Sequence, residues 1–341
     1  MARAEDRLMS RRRAYDALAP RLASLSDNDL TALLAQTTTW HDHVLGNKSG
    51  VIALDGAKVF VKKITLTDLE LAPDNRGTSA NLFDLPMFYQ YGVGSAGFGA
   101  WRELQAYLRA TGWVLSGECP YFPLVYHWRV LPRARRAPLP AAKQEWLDQA
   151  PDYWNGSNAV RQRLAAISAA TTSIVLFLEY VPEMLHTWLE NRLSGQSVDA
   201  ALESTFFNFH DQWRAARGFM NDRGMLHFDL HARNVLTDGD QVFVTDFGLA
   251  LCADFDLSSS ERAFFEAHRH YDHAYLDWVV AKWLASLPAP LSPALTDLAE
   301  RASPAAVAFG DFFEALSQRS RRTPYPEAAL EAVFTTSRAA D

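Results

Sequence analysis

Over residues 1–37 apolar side chains recur at helical spacing: Leu8, Tyr15, Leu18, Leu22 and Leu25 fall roughly on one face. Pro20 is expected to break that helix or to open a fresh first turn, because its ring removes a backbone donor. Ser26 and Asp27 offer caps for a second helix through Leu30, Leu33 and Leu34 to Gln36. From Thr37 the period changes to that of strands. Trp40–Leu45, Val51–Leu54 and Lys58–Ile64 alternate or run apolar, Gly46 and Gly50 bound one turn, and Asp55-Gly56 is a strong hairpin signal. Residues 65–97 read as irregular, with a candidate strand at Met87–Tyr91 before a glycine-rich stretch. Gly99–Ala110 reads as a helix with Trp101, Leu104 and Leu108 on one face, Leu124–Leu131 as a strand, and Ser173–Tyr180 as a buried strand. Pro132–Pro140 looks like an exposed connection and 141–170 like a helical insertion. After Pro182 the pattern is mostly helical, apart from 225–247. A strand-rich first part and a helix-rich second part argue for two lobes of different class.

Composition narrows this only a little. The 341 residues allow about two domains, and 48% hydrophobic with 21% charged residues excludes a mainly disordered chain. Lys+Arg 33 against Asp+Glu 40 gives a net charge of −7, which argues against a globally basic nucleic-acid binder. The local basic patch of Arg129, Arg133, Arg135 and Arg136 reads as a solvated connection. Cys119 and Cys252 lack zinc-ligand spacing and cannot form a disulfide framework, so a reducing compartment is expected. The N-terminus is charged with no apolar stretch behind it, and the longest apolar run, Ser173–Val181, falls far short of the ~20 residues that span a bilayer. A soluble cytoplasmic protein with no membrane partner is the expectation. His268, His270 and His273 read as a polar helix face, because no acid or thiol at recognisable spacing completes a metal site.

The chemistry concentrates in Met225-Leu-His-Phe-Asp-Leu-His-Ala-Arg-Asn-Val-Leu236 and Val244-Thr-Asp-Phe-Gly248. Asp229 and Asn234 share one loop. A hairpin through Asp238-Gly239 returns the chain and sets Asp246 beside Asn234. An acid able to accept a hydroxyl proton, with an amide and a carboxylate as hard oxygen ligands, suits Mg²⁺-assisted phosphoryl transfer.

With these residues the sequence resembles the protein-kinase-like superfamily. His227-Phe-Asp229 with Asn234 is similar to its catalytic loop, and Asp246-Phe247-Gly248 matches its metal-binding motif in full. The resemblance implies an α+β bilobal fold, with a small antiparallel-sheet N-lobe and a mainly helical C-lobe. The corresponding division is a helical extension over 1–37, an N-lobe over 38–181 with insertions at 65–97 and 132–170, and a C-lobe with tail over 182–341. It further implies ATP and Mg²⁺ as cofactors, Asp229 as catalytic acid–base residue, and Asn234 and Asp246 as metal ligands. Val59-Phe-Val-Lys62-Lys63-Ile64 resembles the phosphate-binding strand; Lys62 is the better candidate and Lys63 the alternative. Glu103 is the implied partner carboxylate on the following helix. Leu178, Glu179 and Val181 look like the adenine-contacting segment, and Gly46 and Gly50 bound the short loop where the family places its glycine-rich one.

Departures from the pattern are as informative. Gly92, Gly94 and Gly97 form a glycine pattern after Lys62, which reads as a lead-in to the Glu103 helix or as a substitute phosphate lid. A dinucleotide fingerprint is a weak third reading, because no repeated βαβ pattern surrounds it. Phe228 stands where the family carries Arg, which implies activity without phosphorylation of the segment after Gly248. Ser258, Ser259 or Ser260 is expected to cap a helix near Glu261, and Asp272 or Asp277 to anchor the catalytic loop. His231 resembles the loop of aminoglycoside and choline kinase-like enzymes and Arg233 that of tyrosine kinases, whereas the full Asp-Phe-Gly favours a protein kinase. The acceptor is thus expected to be a protein Ser/Thr hydroxyl, with a small-molecule alcohol as alternative and a nucleotide-binding pseudokinase as a third reading.

Overall fold

A computed structural model describes residues 2–37, 39–42, 47–92, 94–133, 145, 149, 153–193, 198–288 and 290–338. The chain divides into two compact units, residues 1–86 with 96–182, and residues 87–95 with 183–341. The segment 87–95, expected in the first part, therefore belongs to the second unit, and the N-terminal helices belong to the first.

The first unit is built on a five-stranded antiparallel sheet in the order β1-β2-β3-β5-β4. Its strands are β1 (Trp40–Asp42), β2 (Lys48–Leu54), β3 (Ala57–Leu66), β4 (Val125–Pro132) and β5 (Thr172–Glu179). β2 and β3 form the expected hairpin, with Asp55 at φ 49° and Gly56 at φ 84°. Two consecutive left-handed residues give the turn a twist that matches the flanking strands. β5 lies between β3 and β4 and is buried from Ser173 to Leu178, as its unbroken apolar run requires.

Helix α1 (Ala2–Ala23) runs through Pro20 without breaking, contrary to the sequence expectation. Pro20 sits in the last turn, so its missing donor interrupts the backbone ladder only near the helix end. α2 (Asp27–Ala35) starts from a capping box of Ser26 and Asp29. Thr67 and Glu70 cap the short α3 (Asp68–Leu71), and α4 (Ala100–Ser116) packs on the sheet. α5 (Asn158–Ala169) is capped by Ser157. Most of the rest of the expected 132–170 insertion, Arg135 and Arg136 included, lies outside the described residues. Arg129 and Arg133, though partly exposed, also tie elements together, to Asp27 (2.7 Å) and to the Thr65 hydroxyl (3.0 Å).

The second unit is mainly helical: α6 (Leu185–Leu193), α7 (Ala200–Asp222), α8 (Ser259–Ala267), α9 (Tyr271–Ala285), α10 (Pro293–Gln318) and α11 (Glu327–Arg338). Its short strands are β6 (Glu183–Met184), β7 (Met225–Leu226), β8 (Val235–Thr237), β9 (Val242–Val244) and β10 (Leu251–Cys252), paired as β6-β8-β9 and β10-β7. The β8–β9 hairpin turns at Asp238-Gly239, where Asp238 Oδ1 accepts from the amides of Asp240 and Gln241. Met87–Tyr91, a candidate strand by pattern, is a 3-10 turn. Ser258 is the residue that caps α8, reciprocally with Glu261. The described residues hold no helix long and apolar enough to cross a membrane.

Candidate active site

In the first unit the site is a buried ion pair on a fixed scaffold. Lys62 lies mid-strand in β3, opposite Ser49 on β2 and Leu176 on β5. Its Nζ is 2.7 Å from Oε1 of Glu103, and neither side chain is more than 11% exposed. The neighbouring Lys63 points to the other face, its Nζ 3.9 Å from the Trp40 ring centre. Burial, with Lys48 nearby, holds the Lys63 ammonium below its ordinary range. It is thus Lys62 that meets the partner carboxylate.

Glu103 is aimed by the start of α4, and that start is pinned by Glu70, whose only sequence signal is the Thr67-Asp-Leu-Glu70 capping pattern. Glu70 accepts from the Ala100 amide (2.7 Å) and from Arg163 (2.8 Å), and its carbonyl accepts from Trp101 Nε1 (2.8 Å). Burial pushes the Glu70 carboxyl up, but the Arg163 charge and the hydrogen bonds outweigh it and leave the group below its ordinary value.

At the end of β5, Leu178 is buried, Val181 is 9% exposed, and Glu179 is committed on two sides. Its amide donates to the Leu124 carbonyl (2.8 Å). Its carboxylate receives Arg11 of α1 through Nε (2.9 Å) and Nη2 (2.7 Å), and the Leu124 amide (3.1 Å). Gly50 sits within β2, where an added Cβ would lie 3.0–3.1 Å from Thr37, Thr39 and Trp40. The close approach of β1 therefore requires the glycine. Gly46 lies outside the described residues.

In the second unit the candidate loop, residues 227–234, is held by its backbone. Asp272 on α9, one of two sequence candidates, is the anchor: Oδ2 accepts from the His227 amide (2.7 Å) and Oδ1 from the Phe228 amide (3.0 Å). Asp277 instead lies in the field of Arg217, and burial raises its carboxyl to about 6 despite that charge. Fully buried His227 faces the Thr245 carbonyl through Nε2 (3.0 Å) and accepts the Asp229 amide at Nδ1 (3.3 Å). These roles fix the tautomer with Nε2 protonated, because Nδ1 is an acceptor.

Asn234 closes the loop on Asp229, its Nδ2 donating to the carbonyl (3.0 Å) and to Oδ2 (2.9 Å). The Thr245 amide donates to the Asn234 carbonyl (2.9 Å), which ties the residue before Asp246 to the same loop. Burial raises the Asp229 carboxyl above its ordinary range and the Asp246 charge adds to this, while His231, His227 and the Asn234 hydrogen bond oppose it. His231 Nε2 lies 3.4 Å from Asp229 Oδ1. Asp246 is left-handed, φ 64° and ψ 68°, and opens the 3-10 turn Phe247–Leu249. With the Asn234 amide nitrogen spent on Asp229, its Oδ1 is the atom left for a cation. That oxygen and the Asp246 carboxylate are hard donors of the kind Mg²⁺ takes.

The sequence profile of the family described as protein tyrosine and serine/threonine kinase matches residues 157–264, just under a third of the chain. The matched stretch includes β5, the loop 227–234 and Asp246-Phe247-Gly248. No curated protein matches the chain. The α+β architecture and this match make the chain similar to the protein-kinase-like superfamily.

Proposed function

We propose that the protein is an ATP- and Mg²⁺-dependent phosphotransferase that acts on a Ser/Thr hydroxyl of a protein acceptor. The observation that supports this most is the joined loop, in which one Asn234 side chain fixes Asp229 and keeps an oxygen for a metal. When bound, MgATP supplies a phosphoryl group whose charge the metal partly neutralises. The loose transition state leaves the protein mainly positioning and charge stabilisation to perform. Lys62, held by Glu103, is assigned to the nucleotide phosphates. Asn234 and Asp246 are assigned to the metal. Asp229 orients the acceptor hydroxyl and takes its proton late; its raised pKa matches a base that must accept and later release a proton. Leu178 and Val181 are assigned to the adenine. With the Glu179 amide already bonded, an adenine hydrogen bond from that residue falls to its carbonyl.

A small-molecule alcohol acceptor is the second reading, favoured by His231 beside Asp229, where the spacing resembles the aminoglycoside and choline kinase-like loop. Incubation with γ-labelled ATP and Mg²⁺ separates the two. Label entering the protein itself or a general protein acceptor supports the first reading, label entering members of a panel of small alcohols supports the second, and no transfer with retained ATP binding indicates a pseudokinase.

A further inference from the structure

The glycine-containing segment 87–95 follows Lys62 in sequence yet packs within the second unit. Gln90 and Tyr91 are 1% and 7% exposed. A buried amide must find partners, and Gln90 Nε2 donates to the Leu249 carbonyl at 2.5 Å. Leu249 ends the 3-10 turn that Asp246 opens. Gly92 comes so close to the same residue that a Cβ would lie 2.6 Å from Leu249 Cδ1, at a left-handed φ of 85°. A side chain there would be strained at that φ and would have to displace Leu249, so this glycine serves the chain path.

Tyr91 reaches a second part of the machinery. Its hydroxyl meets His268 Nε2 at 2.8 Å, and its ring stacks on Tyr271 (5.9 Å between centres) and meets Phe312 edge-on (5.1 Å). His268 Nδ1 faces the Phe264 carbonyl (2.7 Å), so Nδ1 carries the proton and Nε2 accepts from Tyr91. Tyr271 and Phe264 also pack on Phe228, at 4.5 and 5.7 Å. Phe228 is fully buried, left-handed at φ 63°, and precedes Asp229. Left-handed non-glycine residues persist only where their surroundings over-determine them. Residues 87–92 thus contact the backbone after one such residue, Asp246, and share a ring cluster with another, Phe228.

We propose that residues 87–92 form a built-in brace that holds Asp-Phe-Gly in its metal-binding conformation, with Gln90 as a positioning residue. Phosphorylation of the segment after Gly248 is then unnecessary. The proposal deepens the phosphotransfer reading and rests on it for its catalytic consequence. The brace replaces a charge-based device: a phenylalanine at 228 cannot pair with a phosphate, and the rings around it fill the space with apolar contacts.

The test compares wild type with Gln90→Leu, which keeps most of the volume but leaves the Leu249 carbonyl without its donor. Amide hydrogen exchange over 246–252 in the nucleotide-free protein should rise about tenfold, with β3 unchanged. In the transfer assay kcat should fall about tenfold and the half-saturating Mg²⁺ concentration should rise, while the ATP KM at saturating Mg²⁺ changes less than about twofold. Phosphatase treatment of the wild type should leave its rate intact. A folded Gln90→Leu protein with wild-type exchange and kcat overturns the brace, as does loss of wild-type activity on phosphatase treatment. If Gln90→Leu does not fold, Tyr91→Phe carries the same readouts in the same direction at about threefold, and no change then overturns the brace. A wild type that transfers no phosphate, with faster exchange in the variant, overturns the phosphotransfer reading and leaves the brace standing.

Discussion

In the first unit the candidate site residues, and the groups that position them, are held by ion pairs. Lys62 meets Glu103, Arg163 meets Glu70 and Arg11 meets Glu179, all at 2.7–2.8 Å, with no side chain more than 14% exposed. In the second unit the equivalent work falls to backbone amides and rings. Asp272 accepts two loop amides, Thr245 donates to the Asn234 carbonyl, and Phe228 packs among Phe264, His268 and Tyr271. The difference follows from what each region must fix. A strand and a helix have settled backbones, so only side-chain positions are left to set, and opposite charges set them at close range. The candidate loop has an irregular path that includes left-handed Phe228, so its backbone needs the anchors.

The contrast predicts different failures. The largest is expected for Asp272→Ala, which leaves the buried His227 and Phe228 amides without an acceptor. The second unit should lose about 2–5 kcal/mol, seen as a lower unfolding transition for that unit alone; a wild-type transition contradicts the anchor role. Glu103→Gln comes next. It leaves the Lys62 ammonium facing a neutral amide, at a cost of about 1–3 kcal/mol to the first unit, and it should raise the ATP KM because Lys62 loses its fixed position. An unchanged KM removes Glu103 from the phosphate-binding arrangement.

The smallest effect at neutral pH, and the one that separates the units by condition, is acid sensitivity. Burial lowers the His268 imidazole to about 4 against the Phe264 carbonyl contact, and burial foremost lowers His210 to about 4 as well. Between about 6.5 and 4 the unfolded chain binds protons that these folded histidines refuse, so second-unit stability should fall as pH falls through that window. For His268 the slope is at most about 1.4 kcal/mol per pH unit, and His268→Gln should flatten it. Glu70 has a carboxyl held below its ordinary range, so its contribution persists above that range and is lost only as pH falls through the lowered value. Hydrogen exchange at pH 5 that loosens the first unit before the second would reverse this ordering.

How far the sequence could be read depended on where a residue's partner lies along the chain. Asp229, Asn234 and Asp246 were legible because they sit on one loop and one hairpin whose turn, Asp238-Gly239, is itself a local signal. Lys62 was legible through strand period, and the structure adds the face that separates it from Lys63. Arg163 and Glu70 are 93 residues apart and Arg11 and Glu179 are 168 apart, so no local pattern pairs them. Choosing between Asp272 and Asp277 required knowing which turn of α9 faces the loop. His268, expected on a polar face, is 4% exposed because rings from other elements close around it, including Tyr91 and Tyr325. The Met87–Tyr91 pattern suggested a strand, but its buried polar side chain found a carbonyl across the unit rather than a neighbouring strand.

The central claim is that Asp229 acts on an acceptor hydroxyl while other residues hold the nucleotide. Transfer from γ-labelled ATP by wild type and Asp229→Asn, with ATP affinity measured on the same preparations, tests it most directly. The account predicts a loss of transfer of about 10²–10⁴-fold with ATP binding retained within about twofold. Near-wild-type transfer by Asp229→Asn would contradict it.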